Sequence, residues 1–231
     1  MDKYVVTEIN GYKLFFLTAN NSFSPHRVDK GTLAMISCVE LGSATPPVES
    51  PPGAIQLGES LSPGSEKILD LGCGYGVIGI YYAKLIGERN VVMSDIDAVS
   101  VELAKENAKL NGVPGIKVIQ SDGFKEMDDK NFSLILSNPP YQADFAIPKH
   151  FIEKGFNRLR VGGRMMMVTK RELWYKNKLI AIFGGVRITE VDGYYVFCAE
   201  KRGTQYANAK RNTPTRNVKP LVSYDFEQNP P

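Results

Sequence analysis

The chain has 231 residues, a net charge of +3, and 43% hydrophobic and 23% charged residues. That is enough for one α/β domain with some excess, at an ordinary globular composition. The start, MDKYVVTEIN, has no basic segment leading into a long apolar run, and no stretch reaches the ~20 apolar residues that a bilayer span requires. Secretion and membrane insertion are therefore not expected. Cys38, Cys73 and Cys198 are scattered and odd in number, which favours reduced thiols in a cytoplasmic protein over a disulfide framework. With only His26 and His150 beside them, no metal site is expected. From Lys201 onward six basic residues face Asp225 and Glu227, a net +4, so residues 1–200 carry −1. Such a tail can follow phosphates or simply be a solvated terminus.

Near the start, residues 4–9 and 12–17 flank Asn10-Gly11, a strong hairpin signal because both turn positions favour positive φ. A helix is expected from Asp29, its N-cap, through Leu41. Residues 43–66 form a Pro-rich connection with one short helical turn around Ile55–Leu61. A regular rhythm then sets in. Strands are expected at Lys67–Leu71, Val91–Ser94, Ile116–Gln120, Phe132–Ser137 and Gly163–Thr169. Helices are expected at 76–86, 97–110, 147–159 and 172–183, each following or joining these strands. A closing pair, Val186–Val191 and Tyr194–Ala199, surrounds Asp192-Gly193. Alternation of this kind predicts a parallel sheet with helices on both faces, and the hairpin makes the last strand antiparallel. The organisation expected is a hairpin and helix over 1–42, the Pro-rich loop over 43–66, a catalytic unit over 67–202 and a basic, mobile tail over 203–231.

Asp70-Leu71-Gly72-Cys73-Gly74-Tyr75-Gly76 joins the first sheet strand to its helix, where open α/β sheets bind ligands. Gly72, Gly74 and Gly76 let backbone approach a ligand closely. Val77 stands where a dinucleotide fingerprint needs glycine, and no Lys-Ser/Thr pair makes a P-loop. The Asp70 carboxylate repels a pyrophosphate and suits a cation. S-adenosylmethionine, with a sulfonium and an ammonium and no phosphate, meets those conditions. Asp95, at the end of the next strand beside Ile96, is the expected ribose ligand, and Asp97 reads as a helix N-cap. Asp122, before Gly123, is placed to accept from the adenine amino group, with a plain Asp-Gly turn as the alternative.

The fourth strand runs into Asn138-Pro139-Pro140-Tyr141. This tetrapeptide resembles the signature of class I methyltransferases that modify nitrogens conjugated to planar systems. The resemblance implies that the Asn138 side-chain oxygen and the Pro139 carbonyl accept the two N–H bonds of an exocyclic amino group, and that Tyr141 stacks on its plane. Further segments, Phe23-Ser24, Asp29-Lys30-Gly31-Thr32, Val161-Gly162-Gly163-Arg164 and Gly193-Tyr194-Tyr195-Val196, extend the likeness over roughly residues 12–200. They are similar to the small-domain methyltransferases, among them the ribosomal RNA guanine-N2 enzymes. That family implies a class I, Rossmann-like sheet of seven strands with S-adenosylmethionine as cofactor. It also places Asp29 and Thr32 near the methionine end of the cofactor, and makes structured RNA, ribosomal above all, the partner. The acceptor expected is guanine N2, then adenine N6. Tyr141-Gln142-Ala143 departs from the guanine-N2 pattern, and tyrosine there is shared with adenine-N6 and protein glutamine-N5 enzymes. The alternatives are glutamine methylation or a non-catalytic RNA-binding module of the same fold. Trp174-Tyr175-Lys176 opens a helix near the cleft and could touch RNA, with amphipathic packing as the default, and Lys170 and Arg171, just past the fifth strand, could meet phosphate, with a solvated face as the default.

Overall fold

In the computed structural model, which describes residues 3–19, 24–40, 55–56, 66–140 and 144–203, the apolar runs assemble into one seven-stranded sheet. The chain begins with the hairpin β1 (Lys3–Ile9) and β2 (Tyr12–Thr18), then α1 (Lys30–Ser37) and two short strands, β3 (Val39–Glu40) and β4 (Ile55–Gln56). The alternating part follows as β5 (Ile68–Leu71), α2 (Val77–Ile86), β6 (Val91–Asp95), α3 (Ala98–Leu110), β7 (Lys117–Gln120) and β8 (Phe132–Ser137). It continues through α4 (Ala146–Arg158), β9 (Leu159–Thr169), α5 (Glu172–Phe183), β10 (Arg187–Val191) and β11 (Tyr194–Glu200). The sheet order is β10-β11-β9-β8-β5-β6-β7, with β5 to β9 parallel and β11 antiparallel to both of its neighbours. Strand order reverses between β5 and β8, which opens a crevice beyond their carboxyl ends.

Period-2 side-chain alternation divides the core into two layers. Ile68, Leu134, Leu136, Met166, Val168 and Val196 face α1, α2 and α3. Leu69, Leu71, Ile135, Met165, Met167 and Phe197 face α4 and α5. The run Met165-Met166-Met167 is thus core on both faces of a central strand. Both hairpin turns take the expected backbone, with φ of 48° and 81° at Asn10 and Gly11 and of 50° and 75° at Asp192 and Gly193.

Three boundaries differ from the sequence expectation. The helix expected to run through Leu41 ends at Ser37, because the Cys38 N–H closes a tight turn onto the Met35 carbonyl and Val39–Glu40 then pair in parallel with Ile55–Gln56. That pairing also makes Ile55–Gln56 extended, where a helical turn was expected to start. The strand expected from Gly163 begins at Leu159. Its pairing with β8 is irregular between Phe132 and Leu134, and Gly162 and Gly163 bond the Lys201 backbone. The rest of the Pro-rich loop and the tail from residue 204 lie outside the described residues.

The N-terminal hairpin is tied to α3 by two asparagines one helical turn apart. The Asn107 amide accepts from Leu17 N–H at 2.7 Å and donates to the Leu17 and Tyr75 carbonyls at 3.0 and 2.9 Å. Asn111 repeats the pattern on Phe15, accepting at 3.0 Å and donating at 2.7 Å. Residues i and i+4 of a helix share a face, as do i and i+2 of a strand, so the two amides serve as a surrogate strand edge for β2. Asn107 also reaches Tyr75 inside the glycine turn, so the hairpin and that turn share one buried side chain. Asn107→Ala leaves the buried Tyr75 carbonyl and the half-buried Leu17 carbonyl and N–H without this partner. It should lower unfolding stability by about 3 kcal/mol or more in urea titration, and a loss below about 1 kcal/mol would contradict this role.

Candidate active site

At the switch point lies a cavity of about 430 Å³. Its floor is the turn 72–76, its sides the ends of β6 and β7, and its far wall Asn138, Pro139 and Pro140, with Ile147 and Phe151 of α4. Asp29 and Thr32 close it from above α1. Apart from Asp70, Gly76 and Tyr141, every expected site residue meets here: Gly72, Gly74, Asp95, Ile96, Asp122, Gly123, Asp29, Thr32, Asn138 and Pro139 line the cavity, while Gly76 ends the turn as the N-cap of α2. Tyr141 lies outside the described residues.

The turn owes its shape to backbone that only glycine adopts at low cost. The φ angles are 73°, 54° and 96° at Gly72, Gly74 and Gly76, and a Cβ on Gly76 would stand 3.1 Å from Ile80. The turn is laced to β6, because the Gly72 and Cys73 N–H groups donate to the Ser94 carbonyl at 2.8 and 2.9 Å. The Gly74 N–H donates to Asp95 Oδ2 at 2.8 Å, and the Asp97 N–H donates to Asp95 Oδ1 at 3.0 Å. Each carboxylate oxygen can accept more than one bond, so Asp95 keeps acceptor capacity toward the cavity. Asp97 caps α3 through the Ser100 N–H at 2.9 Å, and that bonding to Ser100 holds its carboxyl below the usual range. Asp122 pairs with Lys125, which lowers its carboxyl likewise. Burial raises the Cys73 thiol well above its ordinary range, so it is a neutral packing group.

Asp70 is placed differently from the sequence expectation. Its carboxyl is fully buried behind the turn and does not line the cavity; Oδ2 accepts from the Gly79 N–H at 2.9 Å. α2 comes this close because Gly79 has no side chain: a Cβ there would lie 2.4 Å from Met93. Burial, with the nearby Asp95 charge adding to it, pushes the Asp70 carboxyl up to about 7. Asp70 therefore holds the first turn of α2 from behind.

The Asn138 amide is fixed in one orientation. Its Nδ2 donates to Asp29 Oδ2 at 2.8 Å and to Thr32 Oγ1 at 3.0 Å. The reverse orientation would set the amide oxygen against a carboxylate that can only accept. Asp29 is in turn held by capping α1, accepting from the Thr32 N–H at 3.1 Å. Asn138 Oδ1 is left shielded from solvent with no partner among the described residues. Such an acceptor costs free energy until a donor meets it. Asp29 and Thr32, expected at a cofactor, thus also reach the acceptor residue, a contact across 109 positions that spacing alone does not announce.

Among the described residues the cavity wall carries four aspartates and no lysine or arginine. It therefore favours a cation and offers no partner to a pyrophosphate. Ile96, Ile147 and Phe151 add apolar surface for a flat ring system. A donor that carries positive charge, a ribose and a purine fits these walls.

A sheet of this order, with a glycine turn after its first strand and Asn-Pro-Pro after its fourth, defines a class I methyltransferase fold. The chain belongs to the methyltransferase small domain family, whose description it matches over residues 52–198. It is 35% identical to the uncharacterized protein YbxB of Bacillus subtilis over 139 residues, 58% of this chain and 69% of that one. It is 31% identical to ribosomal RNA small subunit methyltransferase C of Pseudoalteromonas atlantica, over 59% of this chain and 41% of that protein. Among solved structures it resembles the T. thermophilus 16S rRNA N2 G1207 methyltransferase (RsmC) in complex with AdoMet and guanosine. That match has 26% identity and a TM-score of 0.70, covering 87% of this chain and 51% of the other. The chain thus spans about half or less of the length of these named RNA methyltransferases. Among the described residues no helix is long and apolar enough to cross a membrane.

The position of Asp70 gives stability a pH dependence. Below about pH 4 its carboxyl is protonated both folded and unfolded, and no cost arises. Between there and about 7 only the unfolded chain ionises it freely, so stability falls as pH rises, by about 4 kcal/mol at most. Asp70→Asn should flatten this part of the profile in urea titrations at pH 4 to 7; parallel curves for the two proteins would contradict it.

Proposed function

We propose that the protein transfers the methyl group of S-adenosylmethionine to an exocyclic amino group of a base in RNA, guanine N2 ahead of adenine N6. The observation that carries this is the locked Asn138 amide, whose Oδ1 is a shielded acceptor without a donor on the wall of a cation-favouring cavity. The similarity to enzymes named as ribosomal RNA methyltransferases, one of them bound to AdoMet and guanosine, supports the acceptor class.

When bound, the cofactor supplies an electrophilic methyl group on its sulfonium. The turn 72–76 and Asp95 hold its amino-acid and ribose parts, while Ile96 and Asp122-Gly123 flank its purine. On the other side, an amino group conjugated to a base is a poor nucleophile because its lone pair is delocalised. Asn138 Oδ1 and the Pro139 carbonyl accept its N–H bonds, align the lone pair with the methyl and favour the positive charge that develops on nitrogen. Tyr141 stacks on the base plane. Asn138 is an acceptor and no base, so the proton that the nitrogen sheds passes to water. Asp29 and Thr32 act through Asn138, because they decide which end of its amide faces the substrate.

Asn138→Ala should cut methyl transfer by about 10²–10³-fold, while cofactor affinity measured by calorimetry stays within about threefold. Thr32→Val, which removes one of the two bonds on Nδ2, should lower kcat by about tenfold with the same calorimetric result. Unchanged turnover in Asn138→Ala would remove this residue from the reaction, and no binding heat with millimolar S-adenosylmethionine would end the cofactor assignment. In cells lacking the gene, nucleoside mass spectrometry should show loss of N2-methylguanosine.

A further inference from the structure

The cavity poses a problem for a polymeric substrate, and this inference rests on the RNA reading above. Among the described residues four aspartates and no cation line the wall, so a base can enter but its phosphates are repelled. The backbone must therefore be met outside the mouth. Strand register shows where. Ser137 of β8 lies level with Met167 of β9, so Pro139 and Pro140 leave the sheet beside Thr169 and Lys170. Lys170 and Arg171 are exposed there, and among the described residues neither pairs with a carboxylate.

Both cations rest on aromatic rings. Lys170 Nζ lies 4.9 Å from the Tyr194 ring centre. The Arg171 guanidinium lies 5.0 Å over Phe145, and Phe145 stacks on Trp174 at 4.5 Å with 21° between the planes. Phe145 caps α4 two residues before Ile147, which lines the cavity, so the stack stands next to the cavity wall. Beside it Leu173 is 71% exposed. Trp174 and Phe145 also pack on the lower core, and that alone would explain half-buried rings. It does not explain an exposed guanidinium held over Phe145, where it stays open to a phosphate.

We infer that Arg171, Phe145 and Trp174, with Lys170, form a docking shelf for the RNA strand adjoining the target base. The two cations hold phosphates, and the aromatic stack carries the neighbouring nucleotide. Single strands are bound in this manner elsewhere, by charge along the backbone and stacking for the bases.

The test uses the full chain and a fluorescein-labelled single-stranded RNA of about 12 nucleotides, titrated by anisotropy between about 50 and 200 mM salt. Both cations are exposed, so Lys170→Ala combined with Arg171→Ala should fold normally. The double variant should weaken binding and lower the slope of log K against log salt by about 1.4, for two phosphate contacts on a single strand. Trp174 is the single tryptophan of the chain, so tryptophan emission excited beyond the tyrosine absorption band reports on the shelf. Saturating RNA should change its emission in the wild type. RNA binding with an undiminished slope in the double variant and unchanged Trp174 emission would overturn the shelf and leave the RNA reading intact. A chain that binds no RNA at low salt would overturn that reading, and the shelf with it.

Discussion

An amide has two ends of similar shape and opposite character, and a methyltransferase that presents one to an amino group must exclude the other. Here the exclusion is electrostatic. The Asp29 carboxylate and the Thr32 hydroxyl take the Asn138 nitrogen, and the oxygen is left without a partner among the described residues. Because Asp29 is itself tied to the first turn of α1, the orientation of the Asn138 side chain depends on a helix N-cap. The same carboxylate stabilises the helix and points the amide, so the two roles cannot be changed separately.

The remainder of the molecule holds α1 and the glycine turn in place relative to β8. Parallel strands buried on both faces fix the ends of β5 and β8 side by side. Asn107 and Asn111 bind the hairpin to α3, and Asn107 reaches into the turn at Tyr75. Asp70, through Gly79, brings the start of α2 against the same turn from behind. The cavity thus rests on buried polar contacts in addition to apolar packing. The two fully buried ones, Asn107 to Tyr75 and Gly79 to Asp70, are the costliest to break, because their partners have no water to turn to.

Much of this could be read from the chain itself where the signal is local. Gly72 and Gly74 form the close-packed turn at the cavity that was expected of them, Asp97 caps its helix, and Asn10-Gly11 and Asp192-Gly193 make hairpins. Asp95 and Asn138 stand at strand ends because alternation of strands and helices already places those ends together. What was not legible depends on contacts between distant segments. Asn107 reads as an ordinary helical residue until β2 lies across it, and Val39–Glu40 read as helix until Ile55–Gln56 pair with them. Asp70 sits next to the glycines in sequence, yet strand pleating turns its side chain to the helix side. Only the missing side chain at Gly79 shows how near that helix comes.

The account is tested most directly by a crystal structure of the protein with S-adenosylhomocysteine and guanosine. It predicts the guanine amino nitrogen within about 2.6–3.2 Å of Asn138 Oδ1, with Nδ2 still on Asp29 and Thr32 and the cofactor sulfur across the turn 72–76. A base bound away from Asn138, or an amide turned so that Nδ2 faces the base, would contradict it.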